Sequence, residues 1–373
     1  MRKIVFLTGT RADFGKIKSL LQILQDNPDH EAHIFATGMH MIEKYGNTVI
    51  EIEKCGFKNI YQFINSTSEA SMDLTLAKTV EGFSSYVKRV KPDLIVVHGD
   101  RVEALAGALV GSLNNILVAH IEGGEISGTI DELIRHSTSK MSHIHYVSND
   151  LAKKRLIQMG ELEESIFIIG SPDIDIMFSD TLPTIDIAKE YYDIVFKDYA
   201  IAMFHPVTTE YAHMSLNANN FVDALLDDTN NYVVIYPNND LGSELIFNAY
   251  ERLRDNPRFR IFPSARFEYF LSLLKHSKFM IGNSSAGIRE TPYYGVPAVN
   301  IGTRQQNRAS HESVINTDYS VEGIKDGIAR AIDAKPAIEE IDFGTGNSAK
   351  MFLETLNNEE IWQLSNQKQF LDL

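Results

Sequence analysis

The stretch Asp93-Leu94-Ile95-Val96-Val97-His98-Gly99-Asp100-Arg101-Val102, continuing through Glu103-Ala-Leu-Ala-Gly107-Ala-Leu-Val-Gly111-Ser-Leu113 to Ile116-Leu-Val-Ala-His120-Ile121-Glu122-Gly123-Gly124-Glu125, decides the fold. Its two short apolar runs, 93–98 and 116–121, lack polar alternation, as expected for parallel strands covered on both faces. Between them, 102–113 has the length of a helix. The same strand–helix rhythm extends outward. Strands are expected at 3–8, 33–37, 145–148 and 166–169, then at 199–204, 232–236, 260–262, 279–281 and 298–301. Helices are expected at 15–25, 71–90, 150–159 and 242–254. This order specifies an α/β fold with doubly wound sheets. Gly170-Ser171-Pro172 and Thr181-Leu182-Pro183-Thr184 lie in the best boundary, which gives domains at 1–175 and 176–350. The end of the chain, from Ser348, reads as helical, with 351–373 able to pack on either domain.

The chain has 373 residues, enough for two or at most three domains at roughly 150 residues each. With 35 Lys and Arg against 50 Asp and Glu it carries a formal charge of −15, which argues against a nucleic-acid partner. No apolar run approaches the roughly 20 residues of a membrane span, and the apolar stretch after Lys3 is too short for a signal peptide. A single cysteine, Cys55, excludes an internal disulfide and a Cys-based zinc site. The expectation is a cytoplasmic two-domain protein.

Ligands of open parallel sheets bind beyond the carboxyl ends of the strands, so polar residues there carry the functional reading. The first strand runs into Gly9-Thr10-Arg11-Ala12-Asp13-Phe14-Gly15-Lys16. Ile17 stands where a P-loop needs a hydroxyl for magnesium, and Gly-x-Gly-x-x-Gly is absent. Arg11 at a helix start either meets an anion or is a solvated turn residue. Asp100 either faces a cleft or caps the helix beginning near Val102. Glu122 precedes paired glycines. Thr129-Ile130-Asp131-Glu132 reads as a capping box, and Asp131 stands four residues before Arg135, so an ion pair on one helical face is the plain alternative to catalysis. Jointly, Asp100, Glu122 and Asp131 fall beyond neighbouring strands of one sheet, and three converging acids fit proton transfer.

The second half offers an anion site. Gly282-Asn283-Ser284-Ser285-Ala286-Gly287 follows a strand and opens a helix, a pattern suited either to a diphosphate or to an ordinary turn. Glu290, further along, suits ribose hydroxyls. His205, Arg304 and Pro237-Asn238 also follow strands; a buried histidine, a solvated arginine and a turn are their plain readings.

At these residues the chain resembles the hydrolysing UDP-N-acetylglucosamine 2-epimerases of sialic-acid-type biosynthesis. The matching motifs are Gly9-Thr10-Arg11-Ala12-Asp13, Ala36-Thr37-Gly38-Met39-His40, His98-Gly99-Asp100-Arg101, His120-Ile121-Glu122-Gly123-Gly124 and Ile130-Asp131-Glu132-Leu133-Ile134-Arg135-His136. They continue with Pro237-Asn238, Gly282-Asn283-Ser284-Ser285, Arg289-Glu290 and Gly302-Thr303-Arg304, in family order over nearly the whole chain. The non-hydrolysing epimerases carry Ala-Gln-His-Arg in place of Thr37-Gly38-Met39-His40 and Pro-Glu-Glu in place of Ile130-Asp131-Glu132. The departures favour the hydrolysing branch.

The resemblance implies two Rossmann-like domains facing a cleft, the arrangement of many nucleotide-sugar glycosyltransferases (GT-B-like), with the C-terminal helix returning to the first domain. It implies UDP binding by Arg11, Arg101, His205, Asn238, Ser284, Ser285, Glu290 and Arg304. Acid/base chemistry falls to Asp100, Glu122 and Asp131, supported by Arg135. It further implies a UDP-sugar substrate, UDP as product, and a homo-oligomer (dimer or tetramer), with no metal or redox cofactor required. The substrate is UDP-N-acetylglucosamine or, as in some relatives, UDP-N,N′-diacetylbacillosamine; the motifs concern UDP, C1 and C2 and do not discriminate. A glycosyltransferase and a catalytically silent nucleotide-sugar sensor are the competing readings.

Overall fold

In a computed structural model of the chain, the described residues are 1–66, 71–127, 129–306, 311–336, 338, 343–369 and 371. The chain divides into two compact units. One comprises Met1–Glu125, Asp131–Asp180 and Asp342–Leu373, and the other Ile126–Ile130 and Thr181–Ile341. The crossings after Asp180 and Ile341 compare with the 175/176 and 350/351 divisions read from the sequence.

The first unit holds a seven-stranded sheet in the order β3-β2-β1-β4-β5-β6-β7. Its strands are β1 (Arg2–Thr8), β2 (His30–Ala36), β3 (Ile60–Gln62), β4 (Leu94–His98), β5 (Leu117–Ile121), β6 (Ile144–Val147) and β7 (Ile166–Ile168). Every neighbouring pair is parallel. Between and after them run α1 (Arg11–Leu24), α2 (Val49–Lys54), α3 (Met72–Val90), α4 (Val102–Leu113), α5 (Ile130–Met141), α6 (Asp150–Gln158) and α7 (Pro172–Met177).

Side chains of the central strands alternate between two apolar layers. Ile4, Phe6, Leu94, Val96, Leu117 and Ala119 pack with Ile17, Leu20 and Leu24 of α1. Val5, Leu7, Ile95, Val97 and Val118 pack with Phe83 and Val87 of α3 and Ala104 and Ala108 of α4. Both faces are therefore covered, and this explains the unbroken apolar runs. The glycines of α4 have a packing reason: a Cβ at Gly107 would lie 2.5 Å from Val97 Cγ1, and one at Gly111 2.3 Å from Val118 Cγ2. They let α4 lie directly on the sheet.

The second unit repeats the plan with a six-stranded sheet, β10-β9-β8-β11-β12-β13. Its strands are β8 (Ala200–Met203), β9 (Tyr232–Ile235), β10 (Phe259–Phe262), β11 (Met280–Gly282), β12 (Ala298–Ile301) and β13 (Val314–Thr317), all parallel. Its helices are α8 (Ile185–Tyr191), α9 (Met214–Asp227), α10 (Ser243–Tyr250), α11 (Phe267–Lys275), α12 (Ala286–Arg289) and α13 (Val321–Asp333).

The chain then returns to the first unit as α14 (Ser348–Leu356), whose Phe352 and Leu356 join the layer of Phe6 and Leu20. Asp175 accepts from the Ser348 and Ala349 amides at 2.8 and 2.7 Å and so caps that helix. The terminal segment is shorter as a helix than its sequence suggests. Trp362 Nε1 donates to the Leu356 carbonyl at 2.8 Å, and Asn358 accepts from the Glu360 amide at 3.0 Å, closing α14 and starting a separate turn.

Both sheets reverse their strand order once, between β1 and β4 and between β8 and β11. Such switch points are where open α/β sheets bind ligands. Among the described residues, no helix is long and apolar enough to cross a membrane.

Candidate active site

At the first switch point the chain leaves β1 through Gly9 and Thr10. Thr10 is the N-cap of α1, its hydroxyl accepting from the Asp13 amide at 3.0 Å. The cap starts α1 at Arg11, one turn earlier than the apolar periodicity alone implies. Arg11 therefore stands in the first turn, 4.0 Å from Glu51. The Asp13 carboxylate accepts from the Thr8 hydroxyl at 2.8 Å and the Gly9 amide at 3.0 Å. Its other oxygen meets His98 Nδ1, at the end of β4, at 2.8 Å.

The opposite ring nitrogen, Nε2, forms an ion pair with Glu122 Oε2 at 3.4 Å. Glu122 Oε1 accepts from the Ser171 hydroxyl at 2.6 Å. Glu122 itself has φ +63°, a left-handed conformation that costs a non-glycine residue roughly 1–2 kcal/mol. Arg135 of α5 holds that backbone: Nη1 donates to the Glu122 carbonyl at 2.6 Å, and Nη2 pairs with Asp100. Asp131 is four residues earlier on α5, on the same helical face as Arg135. Arg101 occupies the N-cap position of α4 with Nε 3.6 Å from the buried Glu103, so Asp100 is left to the Arg135 pair rather than to capping.

The histidines sort by partner. His98 is buried, which disfavours its charge, but the neighbouring Glu122 and the Asp13 hydrogen bond outweigh this and raise its pKa to about 9. It is an imidazolium at neutral pH. Burial lowers His40 to about 4 and His120 to about 3, so both are neutral. Neutral His120 ties Gly99 to α5: Nε2 donates to the Gly99 carbonyl at 2.7 Å, and Nδ1 accepts from Ser139 at 2.9 Å.

The second switch point is built from amides and hydroxyls. Gly282 ends β11 at φ +137°, where a Cβ would lie 1.8 Å from the Met203 carbonyl oxygen; only glycine fits. The following Asn283 clamps the end of β8, its Oδ1 accepting from the His205 amide at 2.6 Å and its Nδ2 donating to the His205 carbonyl at 2.9 Å. His205 Nδ1 accepts from the Asn238 amide at 3.1 Å. Arg304 Nη1 and Gln305 Nε2 reach the Asn283 carbonyl at 3.4 and 2.9 Å. Ser284 Oγ accepts from the Ala286 amide at 3.3 Å, Ser285 is the N-cap of α12, and the buried Glu290 ends that helix. Glu210, which follows β8, ties together the segments after β12 and β13, accepting from Thr303 Oγ1 at 2.5 Å and the Tyr319 hydroxyl at 2.8 Å.

The structure thus groups Asp100, Glu122 and Arg135, sets Asp131 one turn away, and groups His205, Asn238 and Arg304 around Asn283. Arg11 and Arg101 follow neighbouring strands of the first sheet, β1 and β4. Asp13, His98, Ser171, Asn283 and Glu210 also build these clusters, and nothing in the sequence marks them individually. All but Glu210 lie inside or beside quoted motifs, and the signal was their place at strand ends. Among the described residues, no group of three or more His, Cys, Asp or Glu side chains is placed to hold a metal ion.

Two parallel-sheet α/β units with polar clusters at their switch points define a GT-B-like protein. Across 95% of this chain and 99% of theirs, the same fold is found, with a TM-score of 0.78 and 22% identity, in the Methanocaldococcus jannaschii UDP-GlcNAc 2-epimerase solved in complex with UDP-GlcNAc and UDP. The chain belongs to the UDP-N-acetylglucosamine 2-epimerase family, whose profile matches residues 22–357. It is 48% identical over 376 residues, the whole of both chains, to the UDP-N-acetylglucosamine 2-epimerase of Neisseria meningitidis serogroup B. It is 34% identical over 363 residues, 95% of this chain and 96% of the relative, to the hydrolysing UDP-N,N′-diacetylbacillosamine 2-epimerase of Legionella pneumophila.

Proposed function

We propose that the protein is a hydrolysing UDP-N-acetylglucosamine 2-epimerase, converting UDP-N-acetylglucosamine and water to N-acetylmannosamine and UDP for sialic acid biosynthesis. The observation that carries this reading is the grouping of Asp100 and Glu122 about Arg135, with Asp131 on the same face of α5.

The C2 proton of the sugar is poorly acidic, so its removal must accompany departure of UDP from C1. One carboxylate accepts that proton as the C1–O bond breaks, giving a glycal and UDP. Water then adds at C1, and a proton is delivered to C2 from the opposite face. Inversion requires a donor and an acceptor on different sides, hence more than one acid. Arg135 fixes the geometry by holding Asp100 and the strained Glu122 backbone.

In the second unit, His205, Asn238, Ser284, Ser285, Glu290 and Arg304 are assigned to UDP; in the first, Arg11 and Arg101. Their charges and dipoles stabilise the departing diphosphate, a contribution of roughly 3–4 kcal/mol per well-placed donor in comparable sites. No step calls for a metal or redox cofactor. The enzyme is assigned to the cytoplasm and to a homo-oligomeric state, which light scattering measures.

The test is incubation with UDP-N-acetylglucosamine in D2O, followed by proton NMR. The expected products are UDP and free N-acetylmannosamine deuterated at C2. UDP-N-acetylmannosamine without UDP release would overturn the hydrolysing assignment. A second substrate, UDP-N,N′-diacetylbacillosamine, is favoured by the 34% identity to the Legionella enzyme. A higher kcat/KM on that sugar in the same assay would move the assignment to it.

A further inference from the structure

We propose that Asp13 and His98 are positioning residues: an imidazolium–carboxylate dyad that holds Glu122 from one side while Ser171 holds it from the other, so that Glu122 enters each turnover as an ionised proton acceptor. The inference rests on the reading of Glu122 as an acid/base residue and deepens it.

The geometry is a continuous chain, buried except at the partly buried Asp13. The Thr48 hydroxyl lies 2.7 Å from His40 Nδ1, and His40 Nε2 lies 3.1 Å from the Thr8 hydroxyl. Thr8 donates to Asp13 at 2.8 Å, Asp13 meets His98 Nδ1 at 2.8 Å, and His98 Nε2 pairs with Glu122 at 3.4 Å. Ser171 closes the far end at 2.6 Å. Asp13 already accepts two hydrogen bonds from Thr8 and Gly9, so its orientation is set before it meets the ring. A histidine with a carboxylate on each nitrogen has one favoured state, protonated on both.

The groups facing this imidazole are Asp13 from α1, and Glu122 and His120 from β5 and its following turn. Beyond Asp13 stands His40, and beyond the Glu122 backbone Arg135. His40 and His120 are neutral, which leaves the two carboxylates to set the His98 charge.

The experiment uses the full-length protein and steady-state UDP release from pH 5.5 to 10. Wild-type kcat should fall only as the pH passes about 9, where His98 loses its proton. Asp13→Asn removes one of the charges that hold the imidazolium, so its alkaline limb should move down by at least one pH unit. Its kcat should drop on the order of 10²-fold or more with KM little changed, by analogy with removing the carboxylate behind a catalytic histidine. Asp13 also holds Gly9 and Thr8, so His98→Gln is the second variant; it should lose kcat similarly and lack the limb near pH 9.

Calorimetric UDP binding and circular dichroism report folding for both. Either variant folding with the wild-type alkaline limb and kcat overturns the dyad. Glu122→Gln separates the two claims. If it is inactive while Asp13→Asn behaves as wild type, the dyad alone falls. If Glu122→Gln turns over at the wild-type rate, the acid/base reading of Glu122 falls with it.

Discussion

The two switch points share a topology and differ in chemistry. In the first unit, the ends of β4 and β5 carry Asp100 and Glu122, tied to Arg135 and His98 by ion pairs and held over a strained backbone. In the second, the ends of β8 and β11 carry His205, Asn283 and Ser284, tied mostly to backbone groups by neutral hydrogen bonds. One fold plan, used twice, yields a cluster of ion-paired carboxylates and a cluster of fixed dipoles. Duplicated topology therefore constrains where ligands bind, and the strand-end residues decide what happens there.

The comparison breaks most visibly at Arg135. Arg135→Ala removes the partner of Asp100 and the clamp on the Glu122 carbonyl. Loss of a buried charge partner costs roughly 3–5 kcal/mol of stability. UDP release should fall by more than 10²-fold, while UDP affinity stays within about threefold of wild type. Denaturant unfolding, steady-state UDP release and calorimetry measure the three. A parallel loss of UDP affinity would merge the two roles.

Asn283→Ala is the mirror experiment. It removes both hydrogen bonds to His205 and leaves the backbone groups at the end of β8 without that partner, at about 1–3 kcal/mol. UDP affinity should fall roughly 10- to 100-fold, with C2 proton exchange at saturating substrate reduced far less. Glu210→Gln loosens the segments after β12 and β13 through Thr303 and Tyr319, and a fall of only a few-fold in UDP affinity is expected.

A further contrast lies in pH. His40 and His120 are buried and neutral, with pKa values lowered to about 4 and about 3. A histidine lowered on folding contributes stability that is present above its unfolded value near 6.5 and lost as the pH falls toward the folded one. Each then removes about 1.4 kcal/mol per pH unit. His98, raised to about 9, works the other way: its contribution is full below about 6.5 and lost as the pH rises through 9. Thermal unfolding should therefore peak near neutrality. His98→Gln should flatten the alkaline side, and the acid side should remain.

Much of this was legible in the sequence because the decisive signals are local. Uninterrupted apolar runs identify β4 and β5, and glycines and acids immediately after them mark the ligand edge. The edge strands β3 and β13 leave no distinct pattern in the sequence, because each is short, three and four residues, and only partly buried. Apolar periodicity places the start of α1 too late, because the Thr10 cap outweighs it. The Asp13–His98–Glu122 chain was invisible as a unit: its members are separated by 85 and 24 positions, and only the parallel pairing of β1, β4 and β5 brings them together. His98 on its own reads as a strand-end histidine, and nothing local gives it a charge.

The division of labour is tested most directly by measuring two quantities on the same samples of Asp100→Asn, Glu122→Gln and Asp131→Asn. These are the dissociation constant for UDP by calorimetry, and deuterium incorporation at sugar C2 in D2O by NMR. The account predicts UDP dissociation constants within about threefold of wild type, together with losses of C2 exchange on the order of 10³-fold. Wild-type exchange in all three variants, or UDP binding lost in step with exchange, would contradict it.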